Sequence, residues 1–280
     1  MKGIILAGGS GSRLYPLTTI INKQMIPVYD KPMIYYPFST LIHFGIKEFC
    51  IISTSEHLQI YERIFKDGSE LGLNICYKVQ KEPKGIAEAL IIAEDFINNE
   101  SVALILGDNI FHGINKAKLN ENGATVLAYE VDNPIAYGVL ELNEDGIPVS
   151  LEEKPENPKS NLAICGLYFY DKNACQYAKS LKPSKRGELE ITDLNRIYLE
   201  KNQLNVLKCP RGSVWLDAGT PETLFESAAY IHAIQKRQGH KIGCIEEETY
   251  KSKNINKKEF KNLVDKLPNS EYKNYLKKLL

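Results

Sequence analysis

Short apolar runs alternate with helix-like patterns through the first hundred residues of the chain. Runs at 3–7, 49–53, 74–79 and 102–106 have the length of strands. Between them, residues 33–44, 57–65 and 86–97 carry apolar side chains at helical spacing, and Gly45 closes the first of these segments. The alternation predicts successive βαβ units and a parallel sheet with helices on both faces. Ligands of such a sheet lie outside the carboxyl ends of its strands, so the loops after Ala7, Val79 and Leu106 become the candidate sites.

From residue 124 the rhythm changes. Runs at 125–131, 138–142, 150–153 and 164–170, with Asp145-Gly146 as a turn, predict antiparallel strands added to the same sheet. Helical patterns return at 190–200 and 221–238. After Gly243 the chain is rich in Lys and Asn, with spaced apolar residues Phe260, Leu263, Val264, Leu267, Tyr272 and Leu276. The expected architecture is α/β: a Rossmann-like mixed, mostly parallel sheet flanked by helices over 1–240, and a small helical appendage over 241–280.

Composition narrows the function classes. With 43% hydrophobic and 25% charged residues, the 280-residue chain is globular rather than disordered. Its 35 basic and 35 acidic side chains cancel, so no overall field draws it to nucleic acid or an anionic membrane, and phosphate binding has to be local. Nine lysines in 250–280 face Glu259, Asp265 and Glu271, which reads as a solvated helical face. Six scattered cysteines show neither zinc spacing nor a disulfide framework. The start of the chain lacks a signal-peptide pattern, and no run approaches the roughly 18 apolar residues of a membrane helix, so a soluble cytoplasmic protein is expected.

The loop after the first run reads Gly8-Gly9-Ser10-Gly11-Ser12-Arg13. Glycines there let successive backbone N–H groups cradle phosphate oxygens, although a tight turn has the same composition. A Walker A loop needs a Gly-Lys-Ser/Thr ending that this loop lacks, and the dinucleotide fingerprint needs glycine where Leu14 stands. Arg13 and Lys23 read either as ordinary surface charge or as the fixed positive charge that a transferring triphosphate needs on its leaving group.

The string Gly8 to Leu14, then Asn22-Lys23-Gln24 with Pro27, then Lys31-Pro32-Met33-Ile34, resembles the nucleotidyltransferase signature. Later come Gln80 with Gly85-Ile86-Ala87, Leu106-Gly107-Asp108-Asn109, Tyr137-Gly138-Val139, Glu152-Glu153-Lys154-Pro155, the string 166–171, Arg186 to Asp193, and Trp215 to Thr220. In that order they resemble the glucose-1-phosphate thymidylyltransferase family over almost the whole chain. Two positions depart from the family's usual residues: Glu88 stands where Gln is usual, and Cys165 where Thr is usual.

The resemblance implies that Gly8, Gly9, Gly11, Ser12, Arg13, Lys23 and Gln24 surround the nucleotide, that Gln80 and Gly85 read the pyrimidine edge, and that the 1–240 part is catalytic. It places the phosphate of a sugar 1-phosphate on Lys154 and Arg186, with Asn109, Tyr137, Gly138, Glu153 and Gly166 on the sugar side. Asp108 and Asp217 end apolar stretches and offer the hard oxygens that suit Mg²⁺; the sequence leaves open whether they meet. Glu188 and Asp193 read equally well as the start of a helix. The implied reaction is dTTP plus glucose 1-phosphate giving dTDP-glucose and pyrophosphate, in a homotetramer. An ionised sugar phosphate attacking phosphorus needs no general base, which agrees with the lack of any nucleophile or ligand constellation around the five histidines. The rivals are the same chemistry with UTP or another sugar phosphate, and a non-catalytic sensor of sugar nucleotides.

Overall fold

The computed structural model describes residues 1–9, 11–116, 119 and 122–280. Its centre is a mixed nine-stranded sheet. Strands Val102–Leu106, Lys2–Leu6, Glu48–Ser53 and Asn74–Val79 lie side by side and parallel. The long strand Leu162–Tyr170 runs antiparallel to Val102–Leu106 through residues 167–170 and touches Gly138–Leu142 at Ala163. On its other side it pairs with Ala124–Glu130, which carries Leu204–Lys208 in parallel register. Gly138–Leu142 and Pro148–Glu153 form the antiparallel extension.

The two-residue period of a strand divides the core into two layers. Ile4, Cys50, Ile52, Val102 and Leu104 face one layer, closed by Leu90, Leu194 and Tyr198. Their neighbours Ile5, Phe49, Ile51, Ala103 and Ile105 face the other, closed by Phe38, Leu41, Tyr61 and Phe65. A fully buried Ile or Leu side chain contributes about 1.5–3 kcal/mol, so both layers are strongly specified.

Several elements differ from the periodic pattern. The expected helix 86–97 is two pieces, Glu88–Ile92 and Glu94–Ile97, because Ala93 leaves the helical basin at φ −93°, ψ 14°. Strand Leu204–Lys208 and helix Ala174–Ser180 carry too few residues for a clear period. A separate ribbon pairs Asn109–His112 antiparallel with Val214–Asp217, four residues on each side, with Asp217 opposite Asn109.

Helix Pro221–Gln238 occupies the expected span for local reasons. Thr220 and Thr223 form a capping box, Pro221 sits in the first turn where no N–H is needed, and Gly239 ends the helix at φ 72°. Helices Ile245–Lys251, Lys257–Lys266 and Glu271–Lys277 make the C-terminal appendage around Phe260, Val264 and Leu276. Eight of the nine lysines of 250–280 are exposed, but Lys273 is buried and donates to the carbonyls of Asp265 (2.9 Å) and Leu267 (2.6 Å) at the end of the preceding helix. Ile245 packs into the layer under helix Tyr35–His43, and Lys31 donates to the Ile242 carbonyl at 2.9 Å.

Candidate active site

The four parallel strands end at one edge, and register dictates what gathers there. Ala7 donates to Ile52 at 2.7 Å, Gln80 to Ser53 at 2.7 Å, and Gly107 to Leu6 at 2.9 Å. The glycine loop, Gln80 and Asp108 are therefore neighbours. Gly11 turns the loop with φ 63°, and a side chain there would meet Thr18 at 2.7 Å. The turn continues as Ser12–Leu14, in which Leu14 is wholly buried and anchors the loop while Arg13 is exposed.

The ribbon brings the second aspartate to the same place. Lys23 pairs with Asp108 Oδ2, Asn109 Nδ2 donates to Asp108 Oδ1 at 2.8 Å, and the amide of Ala218 donates to the Asp108 carbonyl at 3.0 Å. Burial pushes the Asp108 carboxyl up, but the charge and hydrogen bond of Lys23 and the Asn109 amide outweigh it and hold the group below the usual carboxylate range. Asp217 goes the other way: burial raises it first and the Asp108 charge second, against the pull of Arg13 and Lys23.

A carboxylate whose proton affinity is raised by a neighbouring carboxylate marks a place for a cation. Hard oxygen donors from two side chains fit Mg²⁺, which fills its remaining positions with water and substrate phosphate. Among the described residues no group of three or more His, Cys, Asp or Glu is placed to hold a metal ion.

Asn109 is 3% exposed, and its Oδ1 accepts twice, from Gly166 N at 3.1 Å and from Trp215 Nε1 at 2.6 Å. The Tyr137 ring stands edge-on to Trp215 at 5.0 Å. Glu153 accepts from Thr192 Oγ1 and has Lys154 Nζ at 3.6 Å. Lys154 holds φ 46°, a conformation costly for a side chain, while its amide donates to Tyr137 O at 2.9 Å. Arg186 is gripped by Glu190 through Nε (3.2 Å) and Nη2 (2.8 Å), and Glu153 and Glu188 each lie 3.5 Å from Nη2. This fork-to-fork geometry fixes the guanidinium plane.

These groups line two adjoining cavities. One, of about 370 Å³, is bounded by Gly9, Gly11, Ser12, Arg13, Lys23, Gln24, Gln80, Gly85 and Asp108, with Gly8 against the Gln80 side chain. The other, of about 210 Å³, is bounded by Asn109, Tyr137, Gly138, Glu153, Lys154, Gly166, Arg186 and Asp217. Arg13, Ile86, Asp108 and Glu188 border both. The sequence reading gave no role to Gly219, Glu190 or Thr192, and left Glu188 as a helix start. Gly219 is the least visible of these. A side chain there would come within 3.0 Å of Arg13 Nη2, so the glycine gives the guanidinium its place.

The family model for nucleotidyl transferases matches residues 2–234. The chain belongs to this family. Relatives named glucose-1-phosphate thymidylyltransferase reach 49% identity in Neisseria meningitidis and 47% in Mycolicibacterium smegmatis, each alignment covering 100% of this chain and 99% of the relative. A Bacillus anthracis crystal structure described as a candidate glucose-1-phosphate thymidylyltransferase, in complex with sucrose, superposes with a TM-score of 0.77 at 42% identity, over 82% of this chain and 94% of that one. A UDP-glucose pyrophosphorylase complexed with UDP-glucose gives 0.69 at 25% identity, over 85% and 99%. As a nucleotidyl transferase, the chain presents its glycine loop and both aspartates within the matched region.

Proposed function

We propose that this nucleotidyl transferase joins the thymidylyl group of dTTP to glucose 1-phosphate, releasing pyrophosphate and forming dTDP-glucose. The observation that carries the reading is the shared border: Arg13 and Asp108 belong to both cavities, so two anionic substrates placed there meet between them. The names of relatives at 44–49% identity supply the substrates.

A phosphate oxygen of glucose 1-phosphate forms a bond to the α-phosphorus as the bond from that phosphorus to the pyrophosphate oxygen breaks. The attacking oxygen already carries its charge, so no proton moves. Lys154 and Arg186 hold the nucleophile and offset its repulsion from the triphosphate. Arg13 and Lys23 neutralise charge on the leaving pyrophosphate. Asp108 and Asp217 would hold Mg²⁺, which when bound would supply Lewis-acid stabilisation of the phosphoryl oxygens. Gln80 and Gly85 read the pyrimidine, and Gly8, Gly9, Gly11, Ser12 and Gln24 enclose the phosphates and sugar of the nucleotide. Asn109, Tyr137, Gly138, Glu153 and Gly166 shape the hexose side.

The catalytic part spans 1–240, the helices of 241–280 form the appendage, and the protein works in the cytoplasm as a homotetramer. No helix among the described residues is long and apolar enough to cross a membrane. The test is pyrophosphate release from glucose 1-phosphate with dTTP, UTP, dCTP and ATP, each with Mg²⁺ or with EDTA. Metal-dependent release with dTTP as the preferred nucleotide is expected; release with none of the four overturns the reading.

A further inference from the structure

Gln80 follows the edge strand Asn74–Val79 and is 3% exposed. Its Nε2 donates to Glu88 Oε2 at 2.7 Å, and the same carboxylate oxygen accepts the backbone amide of Lys84 at 3.1 Å. An ionised carboxylate only accepts, so the amide must turn its NH₂ to Glu88 and its carbonyl away. The carbonyl then lies on the glycine-loop side: a side chain built at Gly8 would come within 2.2 Å of Gln80 Oε1. A flipped amide would set Oε1 against Glu88 Oε2 at hydrogen-bond distance, losing the bond and opposing two acceptors. Glu88 itself does not border the nucleotide cavity, whereas Gln80, Pro83 and Gly85 do.

We propose that Glu88 determines the pyrimidine preference of the site by locking the Gln80 amide with its acceptor toward the base. Glu88 is a positioning residue that acts through Gln80. The locked amide presents a carbonyl beside the second N–H of Nε2, which matches an imide edge with an N3–H next to a carbonyl. Thymine and uracil carry that edge. Cytosine carries a lone pair at N3 and would face acceptor with acceptor. A glutamine at position 88, the family's usual residue, can offer either end of its own amide to Gln80 and does not force one orientation. The proposal rests on the thymidylyl-transfer reading and adds what enforces the base choice.

The test compares wild type, Glu88→Gln and Glu88→Leu, measuring kcat/KM for dTTP and UTP with glucose 1-phosphate and the Ki of dCTP against dTTP. Discrimination between dTTP and dCTP is expected to fall about tenfold or more in Glu88→Leu, and in the same direction by a smaller factor in Glu88→Gln. The dTTP to UTP ratio and the KM for glucose 1-phosphate should stay put, since both imide bases share the edge and the sugar half is untouched. General damage to the fold would instead lower all triphosphates together. Discrimination against dCTP within twofold of wild type in both variants overturns the proposal. If Glu88→Leu does not fold, Glu88→Gln decides by the same criterion. A wild type that turns over no dTTP defeats the functional reading itself, a result distinct from unaltered base discrimination.

Discussion

The amide of Ala218 donates to the carbonyl of Asp108 at 3.0 Å, which ties the backbone beside Asp217 to the other aspartate of the site. Because the link is between main chains, either carboxylate can be neutralised without undoing it. Asp217→Asn should therefore fold normally, while Asp108→Asn, which leaves the buried Lys23 without its ion partner, should fold but melt lower. Each should lose about 10²- to 10³-fold in kcat, the several kcal/mol that metal-ion stabilisation supplies. Pyrophosphate release together with Mg²⁺ titration calorimetry checks this; metal affinity and rate equal to wild type would remove both aspartates from the metal.

Gly219 lies where any β-carbon would come within 3.0 Å of the Arg13 guanidinium. Gly219→Ala should displace a flexible arginine rather than the backbone. The expected outcome is an unchanged melting temperature with kcat/KM for dTTP lower by about tenfold, the scale of one charge-assisted hydrogen bond. A melting curve and initial rates suffice, and full activity would show that Arg13 works from another position.

Glu190 grips Arg186 at 2.8 and 3.2 Å and also accepts from Ser184 Oγ at 2.6 Å. Glu190→Gln keeps the shape but loses the paired charge and the two-pronged grip. The KM for glucose 1-phosphate should rise about tenfold while the KM for dTTP stays near wild type. Equal changes in both constants would point to a loosened loop instead of a misplaced arginine.

Glu246 is buried beside Tyr272, which donates to it, and burial pushes its carboxyl above the ordinary value of 4.5 despite that hydrogen bond. The folded state thus holds this proton more tightly than the unfolded one. The contribution to stability is fully present below pH 4.5 and is lost as pH rises through the higher folded value. Glu246→Gln, which still accepts from Tyr272, should raise the melting temperature by about 2–4 °C at neutral pH, the shift for roughly 1 kcal/mol in a chain of this size. The gain should vanish near pH 4; a variant less stable at neutral pH would refute the sign.

The glycine loop, Gln80 and Asp108 were legible because each follows a short apolar run, and a parallel sheet puts the ends of such runs on one edge. The proposed assignment of basic and acidic groups to two substrates came from the resemblance to the family, not from any spacing or period. The meeting of Asp108 with Asp217 was not legible. It depends on a four-residue ribbon whose halves lie about a hundred positions apart, too short to show a period. Gly219 and Glu190 were hidden for a different reason. A glycine's meaning here lies in the guanidinium a β-carbon would touch, and a glutamate's in the arginine it aligns, and neither neighbour is visible along the chain.

The segments that carry Gln80 and Arg186 are joined through Leu189. Its amide donates to Lys84 O at 2.7 Å and its carbonyl accepts from Ala87 at 3.3 Å, while a side chain on Gly85 would collide with its backbone. Segments 84–87 and 186–189 are therefore bound to one another at the border that the two cavities share.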